Sequence, residues 1–366
     1  MIVDDSLTVR TIFKRMVESD PALVIAGTAS SAERAIAQLA DTPADVVLLD
    51  LEMPGIGGLG ALPAILATPG RPQVLVVSSL TVDGAEHTMS ALQMGAADTL
   101  LKPRPGGFTE DYRAALLGKI RALGSRAAAA AAATLSETDT LAAPEAPAAA
   151  PSFVRTGLVR RTRRPEVIAI GASTGGIHAL GLMLRRLAPD LDVPLVITQH
   201  LPPNFIPVFA RQIEAACGRP AEIAAEGLML NPGRILIAPG HGHVVIKRKA
   251  SGGLVARVST EPQPSGCLPS VDPMLASLAE ACEGRALGVI LSGMGRDGVL
   301  GAAALVEAGG TIFAQDADSS AVWGMPGAVS RAGLASFIAT PDRIGEAVMA
   351  LVSAPAPARV PVAAHK

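Results

Sequence analysis

Short apolar runs alternate with helix-period segments along about the first 120 residues of the chain. The runs have the length of buried strands, while the segments between them repeat apolar positions every three or four residues, as amphipathic helices do. The strands predicted from this pattern span residues 45–49, 74–77 and 99–101. The predicted helices span residues 7–18, 31–39, 59–67, 84–94 and 109–123. This alternation indicates βαβ units around a parallel sheet, the arrangement of a doubly wound α/β domain.

A second alternating pattern begins near residue 165, and helices fit between most of its strands. The strands predicted there span residues 167–170, 195–198, 234–238, 287–291 and 311–314. The fold class expected for the whole chain is therefore α/β, with two doubly wound parallel-sheet domains.

The stretch between the two patterns has a composition that cannot bury a core. Seven consecutive alanines at 127–133 precede a Ser/Thr/Glu stretch and Ala/Pro repeats at 144–151. Such a composition is typical of flexible linkers, although the alanine run can hold one helical turn or more. We expect domains at residues 1–122 and 165–353, a linker at 123–164 and a loose Ala/Pro-rich tail at 354–366.

Composition and charge narrow the class of protein. A chain of 366 residues is longer than one hydrophobic core usually organises, which favours two domains. Because 49% of the residues are hydrophobic but only 2% are aromatic, the cores must consist of Ala, Val, Leu and Ile. A net charge of −2 without basic runs argues against nucleic acid as a partner. No apolar run reaches the roughly 18 residues of a membrane span, and no signal peptide opens the chain. We therefore expect a cytoplasmic protein without membrane insertion.

Cysteine and histidine spacing favours no structural metal site. The three cysteines are Cys217, Cys267 and Cys282. Their odd number and the lack of a C-x-x-C spacing predict neither a disulfide framework nor a zinc site. Cys267 is an alternative nucleophile, but no base is recognisable beside it. His241 and His243 form an H-x-H pair that no nearby Cys or further His completes, and His178 is expected on the surface or in packing.

Polar residues end several predicted strands of the first domain. Asp4 and Asp5 follow the opening apolar residues, and Asp50 closes a later strand. These positions share the carboxyl edge of a doubly wound sheet, and three clustered carboxylates there favour a hard cation such as Mg²⁺. Ser78 and Lys102 end the next two strands and add groups that suit a phosphoryl group on Asp50. Taken singly, all five are ordinary N-cap or turn residues.

Taken together, these positions resemble the response-regulator receiver family, whose fold is flavodoxin-like. The resemblance includes Leu-Asp-Leu-Glu-Met-Pro-Gly around Asp50 and the pair Lys102-Pro103. It implies that Asp50 accepts phosphate. The implied metal-binding residues are Asp4, Asp5, Asp50 and Glu52, the last through its backbone carbonyl, and the implied switch residues are Ser78 and Lys102. Only three residues precede Asp4, where the family has a full first strand. Whether Met1 is the natural start stays open, and a receiver that does start there is expected to be less stable.

A Gly-rich turn follows the first predicted strand of the second domain. Its sequence, Gly-Ala-Ser-Thr-Gly-Gly at 171–176, fits either a phosphate-binding turn or a nucleophile turn that presents Ser173. The next strand ends in Gln-His and lacks the acidic residue that a dinucleotide ribose requires, so His200 favours general-base chemistry. Asp297, in a later Gly-rich loop, can orient that histidine. The chain order Ser-His-Asp differs from that of ordinary α/β-hydrolases and indicates a separate fold.

Six motifs of the second domain resemble the CheB family of chemotaxis protein-glutamate methylesterases, over essentially all of residues 165–352. They are Ile-Gly-Ala-Ser-Thr-Gly-Gly at 170–176, Thr-Gln-His-Leu-Pro-Pro at 198–203, Ile-Ala-Pro-Gly at 237–240, Pro-Ser-Val-Asp at 269–272, Gly-Met-Gly-Arg-Asp-Gly at 293–298 and Gly-Met-Pro at 324–326. The order of receiver, linker and esterase is also that of the family. Two departures are Cys267-Leu268, where the family usually has a His and a basic residue, and His241, where it has an Asp. Receptor preference is therefore expected to differ.

The resemblance implies a phosphorylation-regulated serine hydrolase that demethylates glutamate methyl esters and deamidates glutamines on chemoreceptors. Ser173 would be the nucleophile, His200 the base and Asp297 the orienting residue, with backbone N–H groups of Thr174 and Met294 as oxyanion donors. The implied cofactor is Mg²⁺ in the receiver, and none is expected in the hydrolase domain. The implied partners are methyl-accepting chemoreceptors as substrates and a chemotaxis histidine kinase as phosphodonor.

Two other functions remain open at this level. In one, the receiver competes for phosphate and the second domain only binds receptors, although such a module has no need of all three triad residues. In the other, the enzyme belongs to a related pathway with a different methylated or amidated protein substrate. In the leading interpretation, we also expect the unphosphorylated receiver to cover the cleft of Ser173, with the linker allowing it to separate.

Overall fold

The computed structural model describes residues 1–79, 81–103, 107–137 and 164–353. Most of the predicted linker and the predicted tail lie outside these residues. Among the described residues, no helix is both long and apolar enough to cross a lipid bilayer.

The N-terminal domain is built on a five-stranded parallel sheet with the strand order β2-β1-β3-β4-β5. Its strands are β1 (Ile2–Val3), β2 (Thr28–Ala29), β3 (Val46–Asp50), β4 (Gln73–Ser78) and β5 (Asp98–Leu101). Its helices are α1 (Leu7–Glu18), α2 (Ala32–Asp41), α3 (Gly57–Leu66), α4 (Val82–Met94) and α5 (Glu110–Glu137). The strand order is that of a doubly wound flavodoxin-like sheet, as predicted.

Local sequence accounts for several of these elements. Every residue of β3 is buried, because a central strand of a doubly wound sheet is covered by helices on both faces. Helix α1 has the predicted bounds, and its N-cap Ser6 accepts a hydrogen bond from the backbone of Val9. Helix α5 runs to Glu137, past the predicted end at 123, because the alanine run has high helix propensity. The helical turns expected in the alanine run are thus present, as a continuation of α5.

The C-terminal domain is built on a seven-stranded parallel sheet with the order β14-β13-β12-β6-β7-β9-β8. Its strands are β6 (Val167–Ala172), β7 (Leu195–Gln199), β8 (Ala221–Ile223), β9 (Ile235–Ile237), β12 (Ala286–Ile290), β13 (Thr311–Gln315) and β14 (Phe337–Ala339). An antiparallel hairpin, β10 (His243–Arg248) and β11 (Leu254–Ser259), forms a separate small sheet. The helices are α6 (Gly176–Leu184), α7 (Ile206–Cys217), α8 (Val271–Ala281), α9 (Val299–Glu307), α10 (Met325–Arg331) and α11 (Pro341–Ser353).

The structure differs from the predicted strand pattern at the hairpin and at three short strands, β8, β9 and β14. Strand β9 is shorter than predicted, and β8, β14 and the hairpin were not predicted at all. The hairpin packs on α8, where Ser277 Oγ accepts a hydrogen bond from Ile246 N. The domain is thus a doubly wound parallel sheet, as expected, with an antiparallel addition that lies next to the loop leading into α8.

Strand β6 lies at the point where the order of the large sheet reverses. The chain leaves β6 for its neighbour β7 on one side and reaches β12, the neighbour on the other side, much later. The crevice at the carboxyl ends of such strands is where doubly wound sheets bind their ligands. The ends of β6, β7 and β12 are followed by Ser173, His200 and the loop that contains Asp297.

Candidate functional site

Ser173 lies in a tight turn between β6 and α6. Ser173 N donates to Ser292 O at 3.0 Å, and Gln199 Nε2 donates to Ser173 O at 3.0 Å, so the turn is anchored to the two neighbouring strand ends. Gly175 has φ +76°, and a Cβ there would lie 2.5 Å from the Cβ of Ala321. Only glycine fits this position. The sequence therefore makes a sharp strand-to-helix turn that holds the serine at the edge of the sheet.

Asp297 is buried and holds the imidazole of His200. His200 Nε2 donates to Asp297 Oδ2 at 2.8 Å, Ser270 Oγ donates to Oδ1 at 2.6 Å, and Val271 N donates to Oδ2 at 2.7 Å. Burial alone would raise the pKa of Asp297, but these hydrogen bonds outweigh it and hold the pKa well below its usual range. Burial alone would lower the pKa of His200, but Asp297 and Cys267 raise it to about 9.

A buried histidine supports the residue that holds Asp297. His243 Nδ1 accepts a hydrogen bond from Ser270 N at 2.8 Å, and its Nε2 lies 2.9 Å from Glu261 O. Because a backbone N–H can only donate and a carbonyl can only accept, the ring is neutral with its proton on Nε2. His241, the other member of the H-x-H pair, is exposed. Within the described part of the chain, neither histidine belongs to a group that could hold a metal.

Ser173 and His200 border the same small cavity, although the serine hydroxyl forms no hydrogen bond with the imidazole in the described residues. Strand pairing places them side by side, since His200 N donates to Ala172 O at 3.0 Å. In unliganded sites such a bond is often long and tightens only with substrate. The backbone N–H groups of Thr174 and Met294 also donate no hydrogen bond within the described residues. Both remain available to an oxyanion.

The N-terminal domain lies on the turn that carries Ser173. Gly175 N donates to Ala97 O at 2.6 Å, and Thr174 Oγ1 donates to Asp98 Oδ2 at 2.5 Å. Lys119 Nζ donates to the same Asp98 oxygen at 2.6 Å. Residues of both domains line the small cavity beside Ser173. The expected covering of the cleft is thus present in this structure.

Helices on either side of this contact add further bonds between the domains. His178 Nδ1 lies 2.8 Å from Gln93 O, so the histidine expected on the surface or in packing contributes to the domain interface. Arg211 pairs with Glu86 at 3.0 Å, with both side chains more than half exposed. None of these bonds was predicted, because each joins residues that are far apart in the sequence.

Cys267 lies beside His200, which corrects the expectation that no base accompanies this cysteine. Donor atoms of Cys267, His200 and Asp297 all lie within 4.8 Å of one another. The sequence gives no sign of this group, because helix α7, strands β8 and β9 and the hairpin β10–β11 separate the histidine from the cysteine. The other two cysteines, like Cys267, form no disulfide.

The carboxylates predicted for the receiver do come together. Ligand oxygens of Asp4, Asp5 and Asp50 lie within 4.8 Å of one another. Lys102 Nζ lies 2.6 Å from Asp50 Oδ2 and 3.0 Å from Asp4 Oδ2. Burial raises the pKa of Asp50, although Lys102 opposes this. The cluster therefore holds two buried carboxylates, Asp4 and Asp50, and the exposed Asp5, and one ammonium balances their negative charge only partly.

The residues of this cluster fit Mg²⁺. All donors are oxygen atoms, which Mg²⁺ prefers, and the buried Asp4 Oδ2 has only the Lys102 ammonium beside it among the described residues. The Glu52 carboxylate does not belong to this group and accepts a hydrogen bond from Ser79 Oγ at 2.5 Å. This leaves only its backbone for the role implied by the resemblance. Ser78 is buried, with its hydroxyl 3.4 Å from Thr99 Oγ1 and no hydrogen bond to the Asp50 carboxylate among the described residues.

Comparison with known proteins covers both domains. A family model described as CheB methylesterase matches residues 168–348, and one described as Response regulator receiver domain matches residues 1–108. The chain is 41% identical over 347 residues to protein-glutamate methylesterase/protein-glutamine glutaminase 2 of Caulobacter vibrioides, covering 94% of this chain and 96% of the relative.

Two further comparisons agree. Protein-glutamate methylesterase/protein-glutamine glutaminase of Azospirillum brasilense is 38% identical over 362 residues, covering 94% of this chain and 90% of that protein. The crystal structure of the Thermotoga maritima CheB methylesterase catalytic domain is 31% identical, with a TM-score of 0.50, and covers 51% of this chain and 99% of that one.

Proposed function

The chain belongs to the CheB methylesterase family, and from that premise we propose that it is a phosphorylation-regulated protein-glutamate methylesterase and protein-glutamine glutaminase acting on chemoreceptors. Its role would be adaptation in chemotaxis. The observation that carries the proposal is the hydrogen bond between His200 and the buried Asp297, made at the strand ends that also present Ser173.

The proposed chemistry is acyl transfer through Ser173. The serine oxygen attacks the side-chain carbonyl carbon of a glutamyl methyl ester or a glutamine, while His200 takes the serine proton. His200 returns a proton to the leaving group, so that methanol or ammonia departs and an acyl-enzyme remains. Water, activated by the same imidazole, then releases the glutamate and restores the serine. Because Nε2 is bonded to Asp297, Nδ1 is the nitrogen left to accept the proton.

Two features of the site support this chemistry. The N–H groups of Thr174 and Met294 are proposed to stabilise the oxyanion, and loss of one such donor typically costs about 10² to 10³ in rate. Asp297 stabilises the imidazolium that forms when His200 takes the proton. Since its raised pKa of about 9 favours the charged ring, turnover by the neutral imidazole should increase with pH up to that range.

In the receiver, Asp50 is proposed to accept a phosphoryl group from a chemotaxis histidine kinase. Asp4, Asp5, Asp50 and the Glu52 backbone carbonyl would hold Mg²⁺, which supplies positive charge to the phosphoryl oxygens when it is bound. Lys102, now paired with Asp50 Oδ2, would pair with the phosphoryl group, and Ser78 would contact it after a rearrangement. We propose that the receiver comprises residues 1–122 and the hydrolase domain residues 165–353. The protein is proposed to work in the cytoplasm.

Regulation is proposed to act through strand β5. One end of the strand carries Asp98, which is bonded to Thr174, and the other end leads to Lys102, which is bonded to Asp50. The Asp98–Thr174 contact and the Lys102–Asp50 contact both depend on the position of this strand. Because phosphorylation would change the partner of Lys102, it could shift β5 and weaken the contact with Thr174. A ligand shifts a two-state equilibrium when it favours one state, and here the phosphoryl group would favour the undocked receiver.

Methanol release from receptor membranes methylated in vitro tests the proposed function. The full-length protein should release methanol from these membranes, and ammonia from receptors that retain the target glutamines. Release that increases with a small phosphodonor supports a regulated enzyme. Receptor binding without release would favour a binding module, and release only from another methylated protein would favour the related-pathway alternative.

A further inference from the structure

Cys267 brings a thiol to the edge of the proposed catalytic site. Ser265 Oγ accepts a hydrogen bond from Cys267 N at 3.3 Å and donates to Ser270 Oγ at 3.4 Å. Ser270 in turn donates to Asp297, so the loop that carries the thiol is tied to the triad. The thiol sulfur, a ring nitrogen of His200 and a carboxylate oxygen of Asp297 lie within 4.8 Å of one another.

The chemistry of these donors points to a particular kind of ligand. Thiolate and imidazole are groups that bind zinc in proteins, whereas the oxygen-only cluster of the receiver suits Mg²⁺. We propose that a thiophilic divalent cation of the Zn²⁺ class binds between Cys267 and His200 and inhibits the hydrolase. The proposed site has softer donors than the oxygen cluster of the receiver, so Zn²⁺ should prefer the former and Mg²⁺ the latter.

Existing hydrogen bonds prepare His200 for such a ligand. A metal-binding histidine usually donates its other ring N–H to a carboxylate, and His200 Nε2 already donates to Asp297 Oδ2 at 2.8 Å. The Nδ1 lone pair and the Cys267 sulfur then bind the cation, and water completes its coordination. The thiol releases its proton to solvent as the sulfur–metal bond forms, and nothing is oxidised. Cys267 and His200 are both partly exposed, so the cation has access from solvent.

Inhibition follows from the use of Nδ1. This nitrogen is the one that takes the proton of Ser173 in the proposed reaction, and a coordinated lone pair accepts no proton. One cation per chain should therefore stop turnover. This inhibitory effect rests on the proposed function, while the binding of the cation does not.

Binding and inhibition can be measured on the full-length protein in excess Mg²⁺. Zn²⁺ binding is read by competition with a chromogenic chelator, and Co²⁺ serves as a probe because thiolate ligation gives a sulfur-to-cobalt charge-transfer band. We expect one equivalent of Zn²⁺ to bind and to inhibit methanol release, with recovery after chelation. Cys267→Ala should weaken binding at least about 10-fold and remove the cobalt band. Inhibition is expressed relative to the metal-free rate of each variant.

Cys217→Ala is the matched control, because Cys217 is also partly exposed but bonds to Ile213 O in α7. This variant should keep the binding, the cobalt band and the inhibition. Unchanged affinity or an unchanged cobalt band in Cys267→Ala would overturn the site, as would the absence of stoichiometric binding to the parent chain. Binding through Cys267 without inhibition, in a protein that does release methanol, would overturn the inhibitory role. A protein that binds the cation but never releases methanol would overturn the proposed function instead.

Discussion

Removing the carboxylate of Asp98 should activate the unphosphorylated enzyme. Asp98 Oδ2 accepts hydrogen bonds from Thr174 Oγ1 at 2.5 Å and from Lys119 Nζ at 2.6 Å, and its side chain is only 14% exposed. Thr174 follows the proposed nucleophile directly. The carboxylate thus joins the receiver to the turn on which the chemistry depends, and Asp98→Ala removes that bond without changing any residue of the hydrolase domain.

The expected size of the effect follows from the kind of bond that is lost. A hydrogen bond to a charged group contributes about 1.5–3 kcal/mol, and a tenfold change in an equilibrium corresponds to about 1.4 kcal/mol. If the docked form dominates before phosphorylation, its open fraction should increase about 10- to 150-fold. Basal activity should follow this fraction until most molecules are open, and stimulation by a phosphodonor should shrink correspondingly.

The assay is methanol release by full-length Asp98→Ala and by the parent protein, with and without a phosphodonor. Glu86→Ala is the matched control, since Glu86 and its partner Arg211 join the same two domains but are 54% and 61% exposed. Exposed pairs contribute about 0–1 kcal/mol, so this control should raise basal activity by less than about fivefold. Basal activity of a folded Asp98→Ala protein at or below the parent value would refute the assigned role of this contact.

Three further predictions concern other parts of the molecule. Ser270→Ala removes a hydrogen bond to Asp297, so kcat should decrease about 10-fold or more with little change in KM, and steady-state kinetics with an unchanged kcat would contradict this. Asp50→Asn should abolish stimulation by a small phosphodonor but keep basal turnover, and continued stimulation would place the phosphoryl group elsewhere. In protein purified with Met1 as its first residue, burial lowers the pKa of the terminal ammonium from 8.0 to about 6, so between these pH values the unfolded chain binds a proton that the folded chain does not. Stability to urea should therefore fall by up to about 3 kcal/mol as the pH decreases from about 8 to 6, at about 1.4 kcal/mol per pKa unit. An N-terminal extension that removes the buried charge should abolish this pH dependence. An equal free energy of unfolding in urea at both pH values would show that the ammonium is not buried.

The parts of the fold that sequence patterns predicted are those with a strong local signal. Helix α1 has the predicted bounds, and the buried strands β3, β6 and β12 lie close to the predicted residues. The strands β1 and β2 hold two residues each, too few for a periodicity to be detected. The hairpin was missed because apolar and polar residues in an antiparallel pair on the domain surface give only a weak alternation.

For the site too, sequence patterns predicted the residues that follow strands but not the contacts made by tertiary packing. Ser173 and His200 could be predicted because each follows a recognisable strand, and parallel strands bring their carboxyl ends to one edge. The hydrogen bond from Ser270 to Asp297, the proximity of Cys267 and the contact of Asp98 with Thr174 could not. They depend on how a loop, a helix end and a second domain pack against the sheet. Sequence spacing carries no information about that packing.

Ser173 is proposed to demethylate receptors under the control of a separate phosphorylation site, Asp50. The decisive measurement is methanol release from methylated receptor membranes by the full-length protein and by Ser173→Ala, each with a phosphodonor. The parent protein should release methanol faster once it is phosphorylated. Ser173→Ala should release none while Asp50 still takes up phosphate, because the two reactions take place in different domains. Methanol release by Ser173→Ala at the parent rate would contradict the account.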